Sequence, residues 1–443
     1  MTKTTAAEKI GLQVPEIFLP AKEVDLHKWA VIACDQFTSQ PEYWERVEKL
    51  VGDEPSTYHL ILPEAILNRP EKDQRIEYAQ KKMAEYLEAG ILQPHQGFVL
   101  VERSLGEEIQ TGLLVALDLE NYNYNKGSQS LIRATEGTIL DRLPPRMRVR
   151  RGAPLELPHI LVLYDDPNMS VLKEVLENKQ DLPLAYDFDL MEGSGHIRGH
   201  LIKDEHLINT VIDNLANLIE PEQYQERYGD LREKADSPLL FAVGDGNHSL
   251  ATAKAIWEEL KPEVSMDHPA RFALVELVNL HDTSLNFEAI HRVLFNVDEQ
   301  FAQSMADNFG ANFTSTPCTD FEEMKSKTLQ ASEKSQRFGL ISSSGYFLID
   351  LFEPKHNLSV ANLQEFLDKY LQEHPDVEID YVHGDDVLDQ LARQEKNVGF
   401  FLAPITKNNF FKTVIVDGSL PRKTFSMGHA KDKRFYLEAR KIL

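Results

Sequence analysis

The stretch Leu239-Leu240-Phe241-Ala242-Val243-Gly244-Asp245-Gly246-Asn247-His248-Ser249, continued by Leu250 to Leu260, decides the fold class. Five apolar residues open it, which suits a buried strand. Gly244 and Gly246 then bracket Asp245, a composition that marks a sharp turn. Leu250, Ala253, Trp257 and Leu260 recur at helical spacing, and Ala251, Ala253 and Ala255 are good helix formers. Asn247 or Ser249 is expected to cap that helix. A strand running through a tight turn into a helix start is a natural anion site, because free backbone N–H groups and the helix dipole both favour negative charge. Asp245 and His248 place an acid and a base or phosphate ligand at the same junction.

The 443 residues, 42% of them apolar, allow two domains, or one large domain with a lobe, around a sizeable core. The longest apolar runs are strand-sized, so no membrane-crossing helix is expected. Met1 to Gly11 lacks an apolar h-region, so no signal peptide is expected either. Cys34 and Cys318 alone cannot build a disulfide framework or a cysteine zinc site, which fits a reduced, cytoplasmic setting. The net charge of −24 repels DNA and anionic membranes, so neither is an expected partner.

Outward from the central stretch, strand and helix patterns alternate. Trp29 to Ala33 reads as a short strand leading into Cys34-Asp35-Gln36-Phe37, and Pro41 opens a helix through Val51. His59 to Leu62 reads as a second strand. Ile76, Ala79, Met83 and Leu87 mark a long helix, with Gly90 placed for its C-terminal cap. Phe98 to Val101 and Leu113 to Leu117 read as paired strands, and Leu119 to Ser130 as a loop. Ile160 to Tyr164, Pro183 to Phe188 and Phe272 to Val278 are further strands, and His206 to Leu218 is a helix. His196 and His200 have metal-ligand spacing for a helix, but Gly195 and Gly199 oppose a helix there, so no metal site is expected. Beyond about Asn296 the composition resets, and the alternation through Phe400 to Ala403 predicts a second α/β unit over 297–443, after a first domain over 1–296. Its tail holds Lys423, His429, Lys431 and Arg434.

One segment departs from the acidic average. Arg133, Arg142, Arg146, Arg148, Arg150 and Arg151 fall close together, with only Glu136 and Asp141 among them. Arginine forks suit phosphate or carboxylate groups. The plain alternative is a solvated face paired with the abundant acids elsewhere.

Three readings compete at the central turn. Gly244 to Ser249 nearly matches the dinucleotide pattern G-x-G-x-x-G, but the next strand ends too late for the usual acid, and Asp245 and His248 would crowd a pyrophosphate. A tight turn in which Asp245 merely caps backbone groups is the bland reading. The third is a phosphate-handling junction with an acid and a histidine beside the ligand.

The strand, the Asp-Gly-x-His turn and the alanine-rich helix resemble the family called domain of unknown function 1015, whose central motif reads Asp-Gly-His-His-Arg. The resemblance spans nearly the whole chain. Ala33-Cys34-Asp35-Gln36 stands where that family has Pro-Pro-Tyr-Asp-Val. Thr135-Glu136-Gly137-Thr138 with Asp141-Arg142 resembles its His-Glu-Arg-Thr and Asp-Arg segment. His291-Arg292-Val293-Leu294, Asp380-Tyr381-Val382-His383-Gly384 and Pro421-Arg422-Lys423-Thr424 are similar to three further motifs, in the same order. The wider superfamily of ParB nucleotide-binding domains, sulfiredoxin and free serine kinases implies a mixed α/β fold, with a ParB/sulfiredoxin-like core and a C-terminal α/β lobe. It also implies nucleotide phosphates at this helix start. Two departures matter. Asn247 replaces the first His, and Ser249 replaces the Arg, which removes a fixed positive charge from the phosphate site. Arg133, Arg292 and Lys423 are the candidates to replace it. Sulfiredoxin chemistry needs a cysteine at this turn, and the turn has none.

The resemblance implies an ATP-dependent small-molecule kinase, or a related phosphotransferase, acting on a hydroxyl such as that of free serine. The backbone of Gly244, Gly246, Asn247 and Ser249 would hold phosphate, with Glu136 at the same site, and His248 would contact the transferring group. Asp245 or Asp35 would orient or deprotonate the substrate hydroxyl, and Mg2+ would bridge phosphate oxygens. The rival reading is a ParB-like nucleotide-binding regulator without turnover. The expected partners are a nucleotide and a small-molecule substrate, with a homodimer as the candidate assembly.

Overall fold

The computed structural model describes residues 5–443 except 68, 126, 139–142, 230, 232–236, 331, 333 and 429. The resemblance at Asp141-Arg142 and the tail residue His429 therefore lie outside the described residues. The chain forms two compact units: Met1–Asn286 together with Gly428–Leu443, and Phe287–Met427. The expected break near residue 296 differs from this division at both ends. His291–Phe295 already pairs with Glu378–Val382 and Val398–Phe401 in the second unit, while the tail pairs with strands of the first.

The first unit is built on a ten-stranded mixed sheet. Its order is Leu184–Asp189, His196–Ile202, Phe98–Leu105, Glu108–Asp118, Phe272–Asn279, Leu161–Tyr164, Phe241–Asp245, Ile132–Ala134 and Tyr122–Asn123, with Leu12–Gln13 paired to Glu108–Asp118. Successive side chains of a strand point to opposite faces. Leu113, Val115 and Leu117 enter one core and Leu114 the other, so this sheet is covered on both sides. Double burial explains why Phe241-Ala242-Val243 is a continuous apolar run rather than an alternating one. The helix Asn247–Leu260 packs Leu250, Ala253 and Trp257 into the first of these cores. The pattern His59 to Leu62 is not a strand. Ser56 Oγ accepts the Tyr58 N–H and turns the chain into a 3-10 segment, Thr57–Leu60. His196 lies on a strand, held by Asp187 and Asp189 at 2.6 and 2.7 Å.

The tail Gly428–Leu443 is stitched into this unit. Phe435–Tyr436 pairs with Val31–Ile32, and Arg440–Lys441 with Leu155–Glu156. Arg434, fully buried, meets Glu276 at 2.6 Å and Glu438 at 2.5 Å. A buried charge is retained only when paired closely, so losing the tail would leave Glu276 with only the more distant Arg103, at 3.9 Å.

The second unit carries a six-stranded antiparallel sheet: Phe313–Cys318, Gly345–Phe352, Ser335–Ser342, Val398–Phe401, His291–Phe295 and Glu378–Val382. Helices Phe301–Phe309 and Ser359–Glu373 cover one face, and Phe321–Leu329 and Asp385–Ala392 the other. The chain is thus a mixed α/β protein. Among the described residues no helix is long and apolar enough to cross a membrane.

Candidate functional site

The turn after Phe241–Asp245 takes its shape from two glycines. Leu161 pairs with Asp245 and Val162 with Val243, so the register slips and Gly244 is the extra residue of a bulge. Bulges of this kind re-aim a strand end. Gly246 adopts φ +79° and ψ +26°, and a Cβ there would lie 3.1 Å from Ile160 Cα. Gly246, not Asn247 or Ser249, is the N-cap residue, and no side chain caps the helix. The Gly246 carbonyl accepts from Ser249 and Leu250 N–H, which draws Asn247, His248 and Ser249 inside the first turn. Asn247 turns away from capping because its Oδ1 accepts the Thr135 N–H at 3.2 Å. Thr135 Oγ1 donates to the Val243 carbonyl at 2.5 Å. These bonds hold the Thr135-to-Thr138 loop, including half-buried Glu136, against the helix start.

Asp245 receives the Gly246 N–H on Oδ1 at 3.0 Å, and Lys433 Nζ stands 3.1 Å from its Oδ2. Burial pushes this carboxyl up, but Lys433, His159 and the Gly246 N–H outweigh it, so it sits below the ordinary aspartate value. It is a carboxylate at neutral pH with its charge offset by Lys433. His248 occupies the second helical position, half-buried, and its carbonyl accepts from Thr252 Oγ1 at 2.7 Å.

Ser249 opens a chain of four polar groups. Its Oγ lies 3.0 Å from His159 Nε2, and His159 Nδ1 lies 2.9 Å from the Tyr436 hydroxyl. Tyr436 OH in turn stands 3.1 Å from Cys34 Sγ and accepts the Cys34 N–H at 3.3 Å. One consistent proton arrangement has Ser249 donating to Nε2, Nδ1–H donating to Tyr436, and Tyr436 donating to sulfur. Burial pushes the Cys34 thiol up to about 12, with Asp35 and Glu64 adding to the rise. Burial first, then Cys34, raises the Tyr436 phenol well above its ordinary value. Both groups are protonated at neutral pH, so Cys34 is a hydrogen-bonding end point and no nucleophile. Asp35, half-buried beside Cys34, accepts from Gln36 Nε2 at 2.9 Å.

The arginines separate into structural pairs. Arg133 is buried, and its guanidinium donates to the Ser130 and Ser237 carbonyls at 2.8 Å, toward the start rather than the end of Phe241–Asp245. Arg146 pairs with Glu64, Arg148 with Asp73 at 2.7 Å, Arg150 with Glu156 at 2.6 Å, and Arg151 with Glu259 at 2.8 Å. The helix Leu143–Arg150 itself packs beside Asn247–Leu260. Arg292 and Lys423 belong to the second unit. Buried Arg292 donates to Gln364 Oε1 at 3.2 Å and to the Arg422 carbonyl at 3.1 Å, and Lys423 takes a left-handed φ of +57°.

The site thus gathers Asp245, His248 and Ser249 with three groups that local sequence patterns do not indicate: His159, Lys433 and Tyr436. His159 directly precedes the apolar strand run and Lys433 follows a polar tail, so neither carries a motif. Only the pairing of the tail with Val31–Ile32 brings Tyr436 to Cys34. Among the described residues, no group of three or more His, Cys, Asp or Glu is placed to hold a metal.

Among solved structures, a free serine kinase in complex with AMP is similar at TM-score 0.39 and 11% identity, covering 74% of this chain and 92% of that one. A conserved hypothetical protein from Pyrococcus furiosus is similar at TM-score 0.34 and 12% identity, covering 73% and 90%. SbnI with C-terminal truncation from Staphylococcus aureus is similar at TM-score 0.33 and 9% identity, covering 71% and 83%. No curated protein matches. The family model described as protein of unknown function (DUF1015) matches residues 18–370, most of the chain and all of the central turn, and the chain belongs to that family.

Proposed function

We propose that this protein is a phosphotransferase that moves the terminal phosphoryl group of a nucleotide such as ATP to the hydroxyl of a small molecule. The observation that carries this reading is the junction itself: a bulged strand end, a left-handed glycine and a 14-residue helix with no side-chain cap. Its first-turn dipole favours phosphate. The backbone of Gly244 to Ser249 holds the phosphates and His248 contacts the transferring group. Lys433 offsets the Asp245 carboxylate, which would otherwise repel the ligand. Asp245, a carboxylate in the turn itself, would be the residue to hold Mg2+, which would supply charge to neutralise phosphate. Kinship with ParB-like nucleotide-binding cores belongs to the same proposal.

The test uses the purified full chain. ATP, ADP and AMP are screened by thermal shift, and ATP consumption is followed with a panel of alcohols. The expected result is a nucleotide-dependent rise in melting temperature and alcohol-stimulated turnover. Asp245→Asn and His248→Ala should each cut that turnover by about a hundredfold or more. Nucleotide binding without turnover would replace the kinase reading with a regulatory one. No nucleotide binding at all would refute both.

A further inference from the structure

We infer that the cavity beside the turn is the acceptor site, and that the acceptor is a compact alcohol with an apolar body rather than a free amino acid. This rests on the phosphotransferase reading for what happens at the hydroxyl, but not for what the cavity binds. The cavity has a volume of about 150 Å³. Leu60, Leu62, Met83, Leu155, Leu157 and Leu274 form much of its wall. An apolar-lined space of this size takes a molecule of about benzene's dimensions.

The uncharged polar groups of the wall are one hydrogen-bonded set and Thr252, whose Oγ1 is spent on the His248 carbonyl at 2.7 Å. Ser249, His159, Tyr436 and Cys34 all line the cavity, and they form the hydrogen-bonded chain described above. The charged wall residues are already matched: Arg146 with Glu64, and Arg150 with Glu156 at 2.6 Å. Glu156 is also tied to Arg440 at 2.6 Å and accepts the Leu274 N–H at 2.8 Å. A zwitterion would need to open one of these pairs to satisfy its ammonium and carboxylate. Opening a pair with little solvent access leaves charges unmatched, a large cost for a small ligand. A hydroxyl has no such requirement. Ser249 Oγ can donate once and accept twice, and His159 uses one of these valences, so an acceptor O–H can bond to Ser249.

The same geometry gives the proton a route. As the acceptor oxygen attacks the terminal phosphorus, its proton passes to Ser249 Oγ while the Ser249 proton passes to His159 Nε2. The new O–P bond forms, the bond from phosphorus to the bridging oxygen breaks, and that electron pair leaves with the nucleoside diphosphate. His159 then returns its proton to solvent.

The experiment titrates the full-length protein with benzyl alcohol, toluene, 1-naphthylmethanol and free serine, followed by saturation-transfer NMR and calorimetry. Benzyl alcohol should bind saturably and at least tenfold tighter than free serine. Toluene should bind severalfold more weakly than benzyl alcohol, and Ser249→Ala should erase that difference while both still bind. 1-Naphthylmethanol, too large for the cavity, should bind at least tenfold more weakly than benzyl alcohol; this size limit needs no variant and so holds even if a variant misfolds. Leu155→Trp, checked for folding by circular dichroism, should lose benzyl alcohol binding at least tenfold. Absent or non-saturable benzyl alcohol binding, tighter binding of serine, or no size limit would overturn the assignment. ATP is titrated into the same samples. If ATP binds and benzyl alcohol does not, the cavity assignment falls alone. If benzyl alcohol binds and ATP does not, the phosphotransferase reading falls and the binding site stands.

Discussion

Replacing Gly246 by alanine should destabilise the first unit by about 2 kcal/mol. Gly246 sits at φ +79°, ψ +26°. A left-handed conformation costs an alanine about 1–2 kcal/mol that glycine does not incur. The new Cβ would meet Ile160 Cα and Cγ1, both at 3.1 Å. Cα belongs to the backbone leading into Leu161–Tyr164 and cannot swing aside, so the overpacking adds about 1 kcal/mol. Against this, alanine restricts the unfolded chain and returns about 0.4–1 kcal/mol. The first unit has about 300 residues. At about 2.1 cal/mol/K per residue, a 2 kcal/mol loss lowers its melting temperature by about 3 °C. Scanning calorimetry of the variant beside the wild type measures this. Gly246→Asn is the control: asparagine tolerates the left-handed region but keeps the Cβ contact, so it should recover about half of the loss. An alanine variant as stable as the wild type, or an asparagine variant no better than alanine, would refute the account of the turn.

Three further outcomes follow from the same geometry. Lys433→Met should cost about 1 kcal/mol at pH 7, because the half-buried Asp245 carboxylate loses its partner, and the gap to wild type should narrow only as the pH falls below 3.8, toward about 3. The sign follows because Asp245 is depressed when folded, so its contribution is present above the ordinary aspartate value of 3.8 and fades as the carboxyl protonates; melting temperatures at the two pH values check it. Iodoacetamide at pH 7.5 should leave Cys34 unmodified in the native protein, since burial holds its thiol at about 12, and peptide mass spectrometry reads the result. The second unit should lose on the order of 3 kcal/mol between pH 7 and pH 4 through His291, which burial lowers from 6.5 to about 4. The unfolded chain binds that proton first, so stability is full above 6.5 and declines through this window, and His291→Gln should flatten the decline in an acid titration followed by circular dichroism.

The strand Phe241–Asp245 and helix Asn247–Leu260 were legible because their signals are local: a run of apolar residues, a glycine pair and a 3.6-residue repeat. The same is true of Pro41–Val51 and of most helices and strands of the second unit. His59 to Leu62 shows where locality misleads. Leu60, Ile61 and Leu62 are apolar and buried, and burial does not distinguish a strand from a 3-10 segment when no partner strand is at hand. The cap at Gly246 shows a second failure. Asn247 has the right chemistry for a cap, but Thr135, more than a hundred residues away, claims its side chain.

The sequence by itself determined that the chain is a mixed α/β protein and that a strand passes through a glycine turn at Gly244 to Gly246 into a helix. Both follow from residue periodicity and from backbone conformations that only glycine adopts without strain. Only the tertiary structure decided what surrounds that turn. His159 reaches Ser249 across 90 positions, and Lys433 and Tyr436 arrive from a tail that the second unit separates from the rest of the first. The physical reason is that such contacts depend on strand pairing and on the buried Arg434–Glu276–Glu438 network, which orders residues distant in the chain by matching charges far apart in sequence. Arg133 is the converse case: its type suggested a phosphate ligand, and its place in the sheet made it a clamp on two backbone carbonyls.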